Sequence, residues 1–69
     1  MTQEMLVMNY LRRHGSITQA DATRELGVTR LAAIIWKLRH KRGFEILDKT
    51  EIGRNRFGMR VNYARYYLP

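Results

Sequence analysis

The sequence predicts an α+β fold in which three helices are followed by a C-terminal β-hairpin. Apolar residues recur every three or four positions through the first 42 residues, and each of these segments ends at a glycine, which is typical of short amphipathic helices. Beyond residue 44, apolar and polar residues alternate on both sides of a polar, glycine-containing stretch, which is typical of a hairpin. A chain of 69 residues holds one modest core, so we expect one domain over residues 1–69.

The first helix is predicted over residues 2–13, where Thr2 is a candidate N-cap and Gly15 follows the last turn. Ser16 and Ile17 are predicted to form a short extended link, with Ile17 pointing into the core. The apolar side of this helix is expected to contain Val7, Met8 and Leu11.

A second helix is predicted after Thr18, which is followed three positions later by Asp21, the spacing of a capping box. Gly27 allows this helix to end in a tight turn, and Val28 supplies the apolar residue of that turn. Thr29 can then cap a third helix. A helix, a glycine turn and a capped basic helix in this order predict a helix-turn-helix.

The third helix is predicted over residues 29–42 and ends before Gly43. Helical spacing divides it into an aliphatic stripe, flanked by Ile34, and an opposite side of small, aromatic and basic residues. This division fits a helix that reads a DNA groove, and it fits an ordinary amphipathic helix with a solvated face equally well. The stripe consists of Leu31, Ile35, Leu38 and Arg42, and the opposite side consists of Thr29, Ala33, Trp36, Lys37 and His40.

The hairpin is predicted as a strand over residues 44–49, a polar turn region over residues 50–60 and a return strand over residues 61–68. Phe57 lies among the arginines of the turn region. It either joins them in a DNA contact or anchors the turn to the body of the protein. The residues expected to face inward are Phe44, Ile46, Tyr66 and Leu68.

Positive charge is concentrated in two blocks of the chain. The net charge is +7, and ten of the thirteen basic residues are arginine. Residues 29–43 carry five basic residues and residues 52–69 carry four, with no acidic residue in either block, whereas the rest of the chain has a net charge of −2. Such blocks indicate a polyanionic partner, DNA or RNA, and arginine suits bidentate contact with phosphate or guanine.

The composition also disfavours several classes of protein. Because cysteine is absent and the two histidines are far apart in sequence, we expect no disulfide, metal or other cofactor. The sequence contains no nucleophile–base set and no glycine-rich phosphate loop, so we expect no enzymatic activity. The longest apolar run, residues 31–36, is too short to span a bilayer, and no secretory leader is recognisable, so a cytoplasmic location is expected.

Several short motifs occur along nearly the whole chain. They are HGSIT at 14–18, Ala22 with LG at 26–27, RLAA at 30–33, Ile35 with LR at 38–39, RGF at 42–44 with Ile46, NRFG at 55–58 and RYYL at 65–68. Together they resemble a known family, the small winged helix-turn-helix domains encoded by phages and prophages. The resemblance implies a three-helix winged helix-turn-helix fold with the C-terminal hairpin as the wing, and DNA binding as a phage or prophage regulator or recombination accessory factor in a bacterial host cell.

Two features depart from the pattern of this family. The spacing from Ala22 to Gly27 is one residue longer than in repressor-type motifs, so the turn geometry is expected to differ. Ile34 and Trp36 also make the third helix more apolar than is typical. An exposed Trp36 would pack against a sugar or a thymine methyl group, or it would anchor a protein partner.

The leading hypothesis is a double-stranded DNA-binding protein whose third helix enters the major groove while a basic wing, residues 52–60, lies on the backbone. The alternative is a phage-encoded protein-binding module that inhibits a host enzyme or defence complex. Its contact surface would contain Ile34, Trp36, Tyr63 and Tyr67. A homodimer on two half-sites is a further expectation, because two linked contacts raise affinity. Candidate base or groove contacts are Thr29, Arg30, Ala33, Trp36, Lys37 and His40, and candidate phosphate contacts are Arg39, Lys41, Arg54, Arg56 and Arg60.

Overall fold

The computed structural model describes residues 1–69 and confirms three helices followed by a β-hairpin. It also contains a short strand after the first helix, which makes a three-stranded sheet. None of the helices has the length and apolar character that crossing a membrane requires. The elements are α1 (Gln3–His14), β1 (Ser16–Thr18), α2 (Gln19–Asp21) continuing into a π-helical turn (Ala22–Leu26), α3 (Leu31–His40), β2 (Leu47–Arg54) and β3 (Arg60–Tyr67).

Helix α1 begins and ends where its sequence predicts. The Thr2 hydroxyl accepts a hydrogen bond from the Met5 amide at 3.2 Å, which satisfies one of the free amides of the first turn. Gly15 adopts a left-handed conformation (φ 86°), and its amide donates to the Leu11 carbonyl at 2.8 Å. These local signals depend only on residues within four positions of one another.

Helix α2 explains the longer spacing between Ala22 and Gly27. It opens with the predicted capping box: the Thr18 amide donates to the Asp21 carboxylate at 3.1 Å, and the Asp21 amide donates to the Thr18 hydroxyl at 3.2 Å. The chain then widens into the π-helical turn, which accommodates one more residue than an α-helical turn does. As a result, Ala22 stays fully buried and Gly27 still reaches the left-handed conformation (φ 67°) that ends the helix.

The sheet has the antiparallel strand order β1-β3-β2. Ser16 is opposite Tyr67 on one side of β3, and Leu47 is opposite the same tyrosine on the other side. The segment predicted as an extended link is therefore an edge strand, and its partner lies about fifty residues away along the chain. The Arg65 side chain crosses this sheet, donating to Ser16 at 3.0 Å and to Glu51 at 2.7 Å.

The predicted boundaries of the hairpin are wrong at its first strand. Residues 44–46 are not part of a strand, because the Phe44 amide donates to the Leu38 carbonyl at 3.0 Å and the Ile46 carbonyl accepts from the Arg39 side chain at 2.8 Å. Strand β2 instead extends through the polar residues 50–54, which pair in register with β3. Backbone pairing with a neighbouring strand outweighs the polar composition that made this stretch resemble a turn.

The core lies between the helices and the base of the sheet. The aliphatic part of the predicted inward stripe of α3 is confirmed, since its three residues are almost completely buried, whereas Arg42 is exposed beyond the end of the helix and pairs with Glu4. Ile34, which was placed at the flank of that stripe, is only 6% exposed and belongs to the same cluster. The cluster contains Val7, Met8, Leu11, Ile17, Ala22, Val28, Leu31, Ile34, Ile35, Leu38 and Ile46, with Tyr66 and Leu68 among the partly buried residues against it.

Candidate nucleic-acid interface

The start of α3 is fixed by a side chain from α2. The Gln19 Oε1 atom accepts a hydrogen bond from the Leu31 amide at 2.9 Å, and its Nε2 atom donates to the Val28 carbonyl at 2.8 Å. Thr29, the predicted cap, makes no side-chain hydrogen bond, and Arg30 occupies the N-cap position without capping. The prediction of Thr29 as the cap is therefore wrong, because Gln19, twelve positions before Leu31, supplies the acceptor.

The end of α3 is tied to the sheet by Arg39. Its Nε atom donates to the Ile46 carbonyl at 2.8 Å, and its Nη2 atom lies 3.0 Å from the Asp48 carboxylate. The guanidinium also lies 5.9 Å from the centroid of the Tyr66 ring. These contacts engage the Nε and Nη2 atoms of Arg39 within the protein and hold α3 against β2, so we leave Arg39 out of the phosphate contacts proposed below.

Helix α3 turns a mixed apolar and basic face to solvent. Trp36 is 54% exposed, and its ring lies 4.7 Å from the His40 ring, centroid to centroid. Ala33 is exposed one turn earlier, and its small side chain leaves room for the helix to approach a surface closely. This face consists of Ala33, Trp36, Lys37 and His40, with Thr29 and Arg30 exposed before the helix and Lys41 exposed after it.

Ion pairing separates the basic residues into two groups. Five of them pair with carboxylates: Arg24, Arg39, Arg42, Lys49 and Arg65. The remaining eight have no acidic partner, and we call these the unpaired cations. Six of the eight belong to α3, its flanking residues and the wing. The unpaired cations are Arg12, Arg13, Arg30, Lys37, Lys41, Arg54, Arg56 and Arg60.

The wing, residues 52–60, carries two arginines directly opposite each other. Arg54 of β2 pairs in register with Arg60 of β3. Like charges at opposed positions of an antiparallel pair repel, which lowers stability. Arg54 partly compensates by donating from Nη1 to the Gly58 carbonyl at 2.8 Å, whereas Arg60 has no side-chain hydrogen bond. An anion bound between the two would relieve this repulsion.

The turn of the wing is organised by Asn55 and leaves Phe57 in solvent. The Asn55 Oδ1 atom accepts hydrogen bonds from the Phe57 amide at 2.9 Å and from the Met59 amide at 3.0 Å. Phe57 is 79% exposed and takes no part in the core. The interpretation of Phe57 as an anchor between the turn and the body is therefore wrong.

The contact surface that the sequence predicts for binding a host protein is smaller in the structure. Ile34 is buried and cannot take part in an external contact. Tyr67 is half-buried, and the Lys49 ammonium lies 5.6 Å from the centroid of its ring. Only Trp36 and Tyr63 remain substantially exposed from that set.

The base of the wing is braced by an ion pair that the sequence did not single out. Arg65 of β3 donates to Glu51 of β2 at 2.7 Å, and this hydrogen bond holds the pKa of Glu51 below its ordinary value. The two residues are not register partners, because Glu51 is opposite Tyr63. Alternation places both side chains on one face of the sheet, and this was the only signal for the pair in the sequence.

A helix-turn-helix whose second helix carries a basic exposed face, followed by a basic hairpin, defines the winged helix-turn-helix class. A family model described as a winged helix-turn-helix domain matches residues 2–69, and the chain belongs to this family. Comparisons with curated proteins and with solved structures gave no match. Domains of this class are typically DNA-binding modules without catalytic activity, which suggests DNA as the partner.

Proposed function

We propose that this protein binds double-stranded DNA, with the exposed face of α3 in the major groove and the wing on the sugar-phosphate backbone. The observation that carries the proposal is the distribution of the unpaired cations. Six of these eight side chains are on or beside α3 and the wing, while the five other basic residues pair with carboxylates of the protein. Electrostatic attraction to phosphate supplies most of the affinity of such interfaces.

Within this proposal, the residues of α3 and its start contact bases, and the more peripheral cations contact phosphates. An α-helix fits the major groove of B-DNA, which is about 12 Å wide. Trp36 presents the apolar surface that suits a thymine methyl group, and Arg30 and Lys37 suit guanine. The proposed base contacts are Thr29, Arg30, Ala33, Trp36, Lys37 and His40, and the proposed phosphate contacts are Lys41, Arg54, Arg56 and Arg60.

DNA is favoured over a host protein as the partner by the composition of the exposed surface. With Ile34 buried, Trp36 is the one large apolar side chain on the exposed face of α3, and it is surrounded by basic residues. Protein interfaces have an apolar, largely uncharged centre, which this face lacks. The resemblance to phage and prophage domains supports a regulator or recombination accessory factor that acts in the cytoplasm of a bacterial host, with two copies on paired half-sites.

Fluorescence anisotropy with a labelled random-sequence duplex, at about 50 and about 200 mM salt, tests the proposal. We expect micromolar binding at low salt. Four phosphate contacts would give a slope of log affinity against log salt of roughly −4. Absence of binding at low salt would reject DNA as the partner. Where binding occurs, selection from random duplexes would reveal a preferred site and analytical ultracentrifugation would give the number of copies bound.

A further inference from the structure

The apex of the wing presents an apolar side chain that has no function inside the protein. Phe57 is 79% exposed and Met59 is 63% exposed, and neither belongs to the core cluster or packs against it. The same apex lies within the more basic half of the hairpin, where no acidic residue occurs from residue 52 to residue 69. The apolar tip is therefore free to contact a partner outside the folded chain.

The backbone beneath this tip is held in one conformation. The Asn55 side chain accepts hydrogen bonds from the amides of Phe57 and Met59. The Asn55 backbone amide donates to the Met59 carbonyl and its carbonyl accepts from the Gly58 amide, each at 2.9 Å. Gly58 adopts the left-handed conformation (φ 78°) that this turn needs. Because the turn is already ordered, little conformational entropy is lost when the tip enters a binding site.

The positive charges around the tip indicate which kind of binding partner it would fit. Arg56 precedes Phe57 in the chain, and the opposed pair Arg54 and Arg60 lies at the base of the turn. Glu51, the nearest acidic residue in sequence, is engaged by Arg65. An apolar tip with cations on both sides complements a partner that has an apolar interior between two rows of negative charge. The minor groove of duplex DNA, with stacked bases between two phosphate backbones, has this arrangement.

We propose that Phe57 is a wedge that enters a base step from the minor groove and kinks the duplex, so that the protein bends the DNA it binds. This inference rests on the proposed function and adds a bending activity to it. Inserted apolar side chains partly unstack a base step and kink DNA by about 20–90° toward the major groove. Arg54 and Arg60 would hold the flanking phosphates. Pyrimidine–purine steps unstack most easily, so a TA or CA step is the expected site of insertion.

Energy transfer between dyes at the two ends of a duplex of about 30 base pairs, containing a central TA step, measures the bend. Each protein is added at low salt until anisotropy shows the duplex to be saturated. Wild-type protein is expected to raise the transfer efficiency. Phe57→Leu keeps an apolar wedge and should retain most of the increase in transfer efficiency. Phe57→Ala should bind the duplex with an affinity within about tenfold of wild type, but the transfer efficiency of the bound duplex should equal that of DNA without protein.

Met59→Ala is the matched control, because it removes an exposed apolar side chain from the same turn while its backbone hydrogen bonds remain. It should bend DNA as wild type does. In a second readout, 2-aminopurine at the central step should brighten with wild type and Phe57→Leu but not with Phe57→Ala. If Phe57→Ala binds too weakly to saturate the duplex, Phe57→Leu decides: bending by that variant supports the wedge, and binding without bending overturns it.

The experiment distinguishes a protein that binds DNA without bending it from a protein that does not bind DNA. Wild-type protein that binds the duplex without changing the transfer efficiency, or equal changes with wild type and Phe57→Ala, would overturn the wedge and leave DNA binding intact. Wild-type protein that binds no duplex at low salt would reject the proposed function and the wedge together.

Discussion

The Gln19 Oε1 atom accepts a hydrogen bond from the Leu31 amide at 2.9 Å, so a side chain of the neighbouring helix α2 caps α3. The same amide group of Gln19 donates to the Val28 carbonyl, so both polar ends of this side chain hold the turn between α2 and α3. The start of the helix that we propose to read DNA is thus fixed relative to α2. Removing the Gln19 side chain should therefore lower the stability of the fold directly, and any effect on DNA binding should follow from that loss.

We predict that Gln19→Ala lowers the free energy of unfolding by about 1–2 kcal/mol, because it leaves the Leu31 amide without its acceptor and removes the shorter of two hydrogen bonds to the Val28 carbonyl. Thr29→Ala is the matched control and should cost less than about 0.5 kcal/mol, because Thr29 makes no capping bond. Urea denaturation followed by circular dichroism measures both variants. An equal loss of stability in the two would contradict the assignment of Gln19 as the cap.

Arg60→Ala should change stability and DNA affinity in opposite directions. Removing one member of the opposed Arg54–Arg60 pair relieves a repulsion, so unfolding should need the same free energy or up to about 0.5 kcal/mol more. At the same time, affinity for all duplex sequences should fall and the salt slope should become shallower by about 1. Arg13→Ala, which removes another unpaired cation from α1, should leave the salt slope unchanged. Equal slope changes in both variants would show that net charge, not the wing, determines binding.

A thymine methyl contact by Trp36 can be tested on the DNA as well as on the protein. Replacing thymidine by deoxyuridine in a selected duplex removes only the C5-methyl groups, and burial of one such group is worth about 0.8 kcal/mol, or roughly fourfold in affinity. Wild type and His40→Ala should discriminate between the two duplexes by about this factor, while Trp36→Ala should bind both equally. Unchanged discrimination by Trp36→Ala would place the methyl contact elsewhere.

The Glu51–Arg65 pair should make the stability of the wing depend on pH. The hydrogen bond from Arg65 lowers the pKa of Glu51 in the folded state, so its stabilisation is present above the ordinary carboxyl range and is lost as pH falls through the lowered value. Glu51→Gln should therefore be less stable than wild type at about pH 7, and this difference should shrink when the pH is lowered to about 3. Glu45→Gln, an exposed carboxylate without an ion pair, should show no such change. Thermal unfolding at the two pH values measures this, and a gap of constant size would exclude the pair as its cause.

Much of this protein follows from residues that are close together in the chain. The capping box of Thr18 and Asp21, the caps of α1 and the end of the second helix at Gly27 are all predicted correctly, because each depends on a few neighbouring backbone groups. The inward stripe of α3 follows from helical spacing alone. The two blocks of positive charge, which carry the proposal of DNA binding, are a property of composition.

The remaining features depend on contacts between distant residues. Gln19 replaces Thr29 as the cap, Arg39 pairs with Asp48, and β1 becomes a strand, because each finds a partner in another element. The exposure of Phe57 also depends on the tertiary structure, because Phe57 neither belongs to the core cluster nor packs against it. The sequence by itself determined the three helices, the caps of α1, the capping box of α2 and the charge, since local hydrogen bonds and side-chain spacing specify them. Only the tertiary structure decided which cations stay unpaired and which apolar residues face solvent, because ion pairs and burial depend on which elements pack together.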